Sequence, residues 1–373
     1  MKLALVHDYL IQDGGAERVL RAFSQIWPNA PIFVLFYDKK RWGREFKERD
    51  MHTSVLQGLP GVLRYYRWTL PLMPAATEHH DLGEFDAVLS SSSAFAKGVV
   101  TRPDALHISY CHTPTRYLWT ETHSYIKDLR TNRAIKFALP FLLTSLRMWD
   151  RTSALRVDRF LANSQTVAKR IKKYYDREAE VIYPPVDCSQ FYVSRKVGNY
   201  FLAGGRLVAY KRFDLTIEAF NRLGWPLLIF GRGPYEQPLR KMAKKNIKFL
   251  GHVSDKEKSQ LLSECVAFLH PQLEDLGLLP LEAMASGRPV VAYGRGGALE
   301  TVREGKTGKF FYEQKWETLL DAVTNFKPEE YQPEEIRAWA RQFDLPEFKT
   351  RMQGYVERAY GEFQGGHTRA KLL

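Results

Sequence analysis

A chain of 373 residues is longer than one hydrophobic core usually organises, so it predicts two domains of ordinary size. With 45% hydrophobic and 26% charged residues it is not a disordered chain, and no apolar run reaches the roughly 18 residues that a membrane span needs. The formal charge of +13 calls for an anionic partner. No zinc-finger spacing, RNP-like signature or recognition helix points to nucleic acid, which leaves a nucleotide or an anionic membrane surface.

Short apolar runs alternate with stretches of helical period twice over, the pattern of a parallel sheet covered by helices. In the first half the predicted strands are Leu3–His7, Ile32–Phe36, Ala87–Ser90, Leu106–Tyr110, Phe160–Asn163 and Val181–Tyr183. The Pro184-Pro185-Val186-Asp187 stretch and the polar residues to Asn199 read as a linker. A second set follows at Tyr200–Ala203, Pro226–Phe230, Ile247–Leu250, Ala267–His270 and Val290–Ala292, and after about Glu334 only helical periodicity remains. The expected organisation is a first α/β domain over 1–186, a second over 187–345, and a C-terminal helix and tail over 346–373 that returns to the first domain.

Ligands of open α/β sheets bind beyond the carboxyl ends of the strands, so function is sought there. The first strand leads into Asp13-Gly14-Gly15-Ala16-Glu17, where backbone amides uncovered by Gly15 would form an anion site at a helix start. There is no G-x-G-x-x-G, which argues against a dinucleotide oxidoreductase. His7 and Asp8 after the first strand are weaker candidates. His112 stands just past the strand ending at Tyr110, facing the cleft expected between the domains. In the second half Arg206 and Lys211 lie at a strand-to-helix junction and could grip one diphosphate, Arg as a planar fork and Lys as a point charge.

The stretch Pro271–Pro289 carries the most chemistry. A strand ends at His270, a polar loop bears Glu274, Asp275 and Gly277, and Pro280 is expected to start a helix with Glu282 in its first turn. The amides of Leu278 and Leu279 would face a phosphate, Glu282 would accept from ribose hydroxyls and Glu274 from the hydroxyls of a sugar. No D-x-D or other metal-ligand cluster is present in the sequence, so no metal and no cofactor is expected. The scattered Cys111, Cys188 and Cys265 read as buried thiols of a reducing compartment. The N-terminus lacks the apolar core of a secretory signal, so the expected location is cytoplasmic.

Glu274 and Glu282 form an E-x7-E element, and the residues around them resemble the hallmark of glycosyltransferase family 4, whose members are retaining enzymes of the GT-B fold. Arg206 and Lys211 resemble that family's phosphate-binding pair, Gly15 its glycine near the diphosphate, and His112 in Tyr110-Cys111-His112-Thr113-Pro114 its active-site histidine, which contacts a hydroxyl of the donor sugar. The resemblance extends over Ala162-Asn163-Ser164, Ile182–Asp187 and Tyr293–Thr301, thus almost the whole chain. Leu276 departs from it, since many relatives carry Phe there.

The resemblance implies two Rossmann-like parallel-sheet domains facing a cleft. It also implies metal-independent retaining transfer from a nucleotide diphosphate sugar, by front-face departure and attack. Within the family the chain looks like bacterial and archaeal mannosyltransferases of O-antigen and exopolysaccharide assembly, which implies GDP-mannose as donor and a polyprenyl-diphosphate-linked saccharide as acceptor. Two segments support a membrane-associated enzyme from the residues alone. Arg64–Met73 and Lys136–Trp149 alternate Arg64, Arg67, Lys136 and Arg147 with Trp68, Leu70, Met73, Phe141, Leu142 and Trp149, as an interfacial segment does. The alternatives are a UDP-sugar-dependent transferase, a GT-B epimerase or phosphorylase, and a non-catalytic nucleotide-sugar binder.

Overall fold

The computed structural model describes residues 1–122 and 133–371. The chain divides into two units, one made of Met1–Pro184 with the chain from Phe348 onward, the other of Pro185–Glu347.

The first unit is a seven-stranded parallel sheet of β1 (Leu3–His7), β2 (Ile32–Val34), β3 (Met51–Thr53), β4 (Ala87–Ser92), β5 (Leu106–Cys111), β6 (Arg159–Ala162) and β7 (Ala179–Val181), in the order β3-β2-β1-β4-β5-β6-β7. Every residue of β1, β2, β4 and β5 is buried, because helices cover a parallel sheet on both faces; these strands are largely apolar, and the polar residues they bury, among them His7, Ser90, Ser91, Ser92, His107 and Ser109, stand out against that background. Strand β3 is absent from the predicted elements for the converse reason: it is an edge strand of three residues, half or fully exposed, and has no apolar run.

Helix α1 (Gly15–Ile26) buries Val19, Leu20, Ala22 and Phe23, spaced on one face. Phe23 stacks on Phe348 with ring centroids 6.0 Å apart, and Phe348 also meets the edge of Tyr110 at 6.2 Å. Arg358 reaches Glu180 at 3.4 Å. These contacts make the final helix, Leu345–Lys371, part of the first unit over most of its length.

Helix α2 (Arg133–Ala154) buries Leu139, Leu143 and Leu146 in one cluster with Leu35, Phe36, Val62 and Met73. The two segments expected to be interfacial therefore share a core, and each turns another face outward. Met73 is buried, and Trp149 is half-buried against Phe95 with its Nε1–H donating to Glu78 at 2.8 Å, so these two belong to the core and not to an interfacial face. Leu70 and Leu142 are intermediate. Trp68 at 66%, Phe137 at 76% and Phe141 at 70% exposure form the outward apolar set, with Leu72 and Met148 also exposed.

Asp150 on α2 is a buried hub. Its carboxylate accepts from Lys97 Nζ (2.6 Å), Thr115 Oγ1, Trp119 Nε1 and Tyr175 OH (2.8 Å each). Tyr175 ends α3 (Gln165–Tyr175), so one charge ties α2 and α3 to the segments following β4 and β5. A buried charge persists only when saturated in this way.

The second unit holds a six-stranded parallel sheet of β8 (Phe201–Gly204), β9 (Leu227–Phe230), β10 (Ile247–Gly251), β11 (Phe268–His270), β12 (Val290–Tyr293) and β13 (Gly308–Phe311), ordered β10-β9-β8-β11-β12-β13. Strand β13, another edge, is likewise absent from the predicted elements. The helices that matter below are α4 (Phe213–Leu223), α5 (Asp255–Glu264) and α6 (Leu278–Ala285). The stretch read as a linker is tied into this unit at its start, since Val186 N–H donates to Phe343 O at 2.8 Å and Val186 O accepts from Leu345 N–H at 3.0 Å. The three cysteines are free and buried. Among the described residues no helix is long and apolar enough to cross a membrane.

Candidate functional site

In each sheet the chain lays down strands to one side and then crosses back, so the order reverses between β1 and β4 and again between β8 and β11. Such a reversal opens a crevice at the carboxyl ends of the two strands, because the following loops diverge. The sequence-selected residues gather at these two points, and each unit is described separately.

In the second unit, Arg206 and Lys211 follow β8, while Glu274 and Asp275 follow β11. Lys211 Nζ lies 2.8 Å from Glu274 Oε1, both side chains being largely enclosed. Arg206, which precedes Lys211 on the same segment after β8, is exposed. Gly205 has φ +122°, and a Cβ there would come 3.1 Å from Lys211 Nζ and 3.2 Å from Leu279 Cδ1. The absent side chain thus lets Lys211 and the start of α6 approach one point. Gly277, with φ +89°, is the residue before α6, whose first amides are those of Leu278 and Leu279.

Helix α6 starts at Leu278, two residues earlier than expected from Pro280, so Glu282 stands in its second turn and not its first. Proline fits the first turn because its missing N–H has no intrahelical partner there. Glu282 is buried and pairs with Lys258 of α5, Nζ lying 3.3 Å from Oε2. Lys258 also reaches Asp255 at 3.2 Å. The loop carrying Glu274 and Asp275 is clamped from behind: Gly297 N–H donates to Glu274 O at 3.0 Å, and a Cβ on Gly297 would lie 2.2 Å from Leu276 Cα. That contact explains the Gly296-Gly297 pair after β12. Beyond the ends of β9 and β10 a hollow of about 480 Å³ is lined by Arg232, Gly233, Arg240, Phe249 and Gly251.

In the first unit, β1 ends at His7 and β4 carries Ser91, paired side by side in register. His7 Nδ1 is 3.0 Å from Ser91 Oγ, and Ser91 Oγ is 2.8 Å from Nε2 of His112, which follows β5. Glu17, in the first turn of α1, has its carboxylate 4.0 Å from His7 Nε2. All four side chains are buried. Burial, aided by the neighbouring His7, pushes the His112 imidazole down to about 3, so the ring is neutral near pH 7. Asp8 serves the backbone instead, accepting from the N–H groups of Ser93, Ala94, Phe95 and Ala96 at 2.6 to 3.0 Å and so shaping the loop after β4. Gly15 is exposed as the first residue of α1.

Sequence reasoning missed Lys258, Ser91, Glu17 and His270. Lys258 follows the capping box Ser254/Glu257, which marks the helix start but not the partner of its face. Ser91 sits in the run Ser90-Ser91-Ser92-Ser93, whose polarity within an apolar strand was the available signal. His270, pushed down to about 4 chiefly by burial, lies beneath Gly277, where a Cβ would be 3.1 Å from its Nε2.

The family model described as Glycosyltransferase Family 4 matches residues 13–190, and the one described as Glycosyl transferases group 1 matches residues 189–343. The alpha-1,3/1,6-mannosyltransferase ALG2 of Dictyostelium discoideum is 26% identical over 376 residues, covering 83% of this chain and 85% of that protein. The O-antigen chain mannosyltransferase RfbU of Salmonella typhimurium is 32% identical over 155 residues, 38% of this chain and 43% of its own. Among solved structures, Anabaena Alr3699/HepE in complex with UDP superposes with a TM-score of 0.72 at 17% identity, over 96% of this chain and 100% of that one. With its two parallel-sheet units, the chain belongs to glycosyltransferase family 4 and is a glycosyltransferase of the GT-B fold.

Proposed function

We propose that this protein transfers mannose from GDP-mannose, with retention of configuration and without a metal ion, to a polyprenyl-diphosphate-linked saccharide in cell-surface polysaccharide assembly. The observation that carries the reading is the Lys211–Glu274 pair, 2.8 Å apart at the reversal of the second sheet. A cation suited to phosphate and a carboxylate suited to sugar hydroxyls stand where a diphosphate and its sugar meet. Arg206, Lys211 and the amides of Leu278 and Leu279 stabilise charge on the leaving diphosphate, a stabilisation of the oxyanion-hole kind. Glu282 holds the ribose, Glu274 orients the sugar, Gly15 lets the diphosphate approach, and neutral His112 accepts from a sugar hydroxyl. Asp275 and Gly277 belong to the donor-binding loop that carries Glu274. The donor's phosphate oxygen takes the acceptor proton, which leaves Glu274 in contact with Lys211 rather than acting as a nucleophile.

The mannosyltransferase relatives support the sugar. The exposed Trp68, Phe137 and Phe141 beside Arg64, Arg67 and Lys136, on a chain of charge +13, support peripheral docking on an anionic membrane, which brings the enzyme to a lipid-bound acceptor. Product analysis with GDP-mannose, UDP-glucose and UDP-N-acetylglucosamine, in EDTA and with the anomeric configuration assigned by NMR, tests the reaction. An α-mannoside formed in the presence of EDTA is expected. Turnover confined to a UDP-sugar, or restored only by Mg²⁺, would refute the donor or the metal-free route respectively.

A further inference from the structure

The buried row Glu17, His7, Ser91 and His112 joins several elements of the first unit, and its donors and acceptors can be counted. A carboxylate only accepts, so Glu17 at 4.0 Å favours a ring proton on His7 Nε2, and a ring carrying that one proton leaves Nδ1 an acceptor. The bond of 3.0 Å between His7 Nδ1 and Ser91 Oγ then takes the hydroxyl proton. Ser91 Oγ, having donated its one proton, must accept across the 2.8 Å bond from His112 Nε2. His112 is left with its proton on Nε2 and none on Nδ1.

We infer that Glu17, His7 and Ser91 are positioning residues that fix the ring and the tautomer of His112, presenting Nδ1 as a hydrogen-bond acceptor that selects a hydroxyl-bearing sugar. The inference rests on the reading of His112 as a sugar contact. It gives chemical content to that contact: an acceptor nitrogen binds a sugar O–H and turns away a phosphate oxygen. It also accounts for three polar side chains buried at the sheet reversal, where an isolated polar group would cost stability. Gly14 belongs to the same arrangement, since a Cβ there would lie 3.1 Å from Glu17 Oε2.

Long-range ¹H–¹⁵N correlation of the full chain labelled with ¹⁵N-histidine reads the tautomer, His112 being assigned by its loss in His112→Ala. The wild type should show a protonated Nε2 and a pyridine-like Nδ1 at His112. A protonated Nδ1 at His112 in the wild type overturns the inference, whatever the activity of the Ser91 variants. Ser91→Ala should let both tautomers appear and lower kcat about tenfold while donor KM changes less, the size expected for one lost hydrogen bond. Ser91→Thr, which keeps the hydroxyl, should restore the tautomer and most of the rate. A silent Ser91→Ala beside an inactive His112→Ala overturns this inference alone, whereas full turnover by His112→Ala removes the sugar contact and the inference with it.

Discussion

Glu282 shows how one residue's environment decides its use. It is buried in α6, and Lys258 sits 3.3 Å away, so its charge is offset inside the unit while its place on the helix sets its direction. Removing the cation alone leaves a buried carboxylate without this partner, which commonly costs about 3 kcal/mol or more. Lys258→Met should therefore lower the thermal midpoint clearly, and adding Glu282→Gln should recover most of that loss, because the amide carries no charge to offset. Thermal unfolding of the two variants measures it, and an additive double variant would show that the pair is not coupled. Kinetically, Glu282→Ala should weaken donor binding, whereas Glu274→Ala should lower turnover with donor affinity less affected, since ribose anchoring is shared by ground and transition states. Steady-state kinetics with donor titrations separates them, and unchanged donor affinity in Glu282→Ala would remove its ribose assignment.

At the scale of elements, a loop that holds a charged side chain needs something behind it. The turn after β12 supplies this for the loop after β11, through the Gly297 N–H bond to Glu274 O and through backbone contact too close for any side chain. Gly297→Ala would place a methyl 2.4 Å from Asp275 O and displace the loop. Misplacement of a substrate-orienting group by about 1 Å can cost on the order of 100-fold in rate. Gly297→Ala is therefore expected to lose at least about tenfold in turnover. Gly58→Ala, whose Cβ meets nothing within 4 Å, should leave turnover unchanged and serves as the control. Equal activity of the two variants would show that the clamp has no part in the site. The outward face of α2 with the Arg64–Leu72 segment is likewise a property of elements, because both bury their other faces in one cluster. Liposome co-sedimentation should find binding that needs anionic lipid and weakens with salt, and that falls in Trp68→Ser/Phe141→Ser, which removes apolar area but no charge. Absence of sedimentation at low salt would reject the docking face.

The whole molecule should be sensitive to acid. Burial pushes His107 and His112 down to about 3 and His80 and His270 to about 4, the neighbouring His52 and His79 adding to the effect at His80. The unfolded chain takes up these protons near the ordinary histidine value of about 6.5, while the folded chain refuses them. Stability is thus fully present above about 6.5 and is lost as pH falls from there toward 4 and 3, with each histidine adding at most about 1.4 kcal/mol per pH unit to the slope. Thermal midpoints measured from pH 7 to pH 4 should fall steadily, and His107→Gln should reduce the fall. A flat profile across that window would contradict the burial of these rings as neutral groups.

Two parallel sheets were legible in the alternation of apolar runs and helical stretches, because interior strands such as β1 and β4 have no choice but to be buried on both faces. Equally legible was that Arg206, Lys211 and Glu274 follow strands and that Glu282 rides on the helix after them, since the chemistry of a strand-end segment is local. Strands β3 and β13 left a weaker mark, because each is a short edge strand, Met51–Thr53 and Gly308–Phe311, in which a polar residue interrupts the apolar run. Nor does the chain's pattern distinguish Met73, which is core, from Trp68, which is exposed, although both belong to one amphipathic stretch. Which side chains meet is a matter of the folded whole. Lys211 reaches Glu274 and Lys258 reaches Glu282 from separate elements, and His7, Ser91 and His112 come from β1, β4 and the end of β5, which are neighbours only once the sheet is laid down. Strand order and register bring them together, and those arise from packing of the whole sheet rather than from any local run of residues.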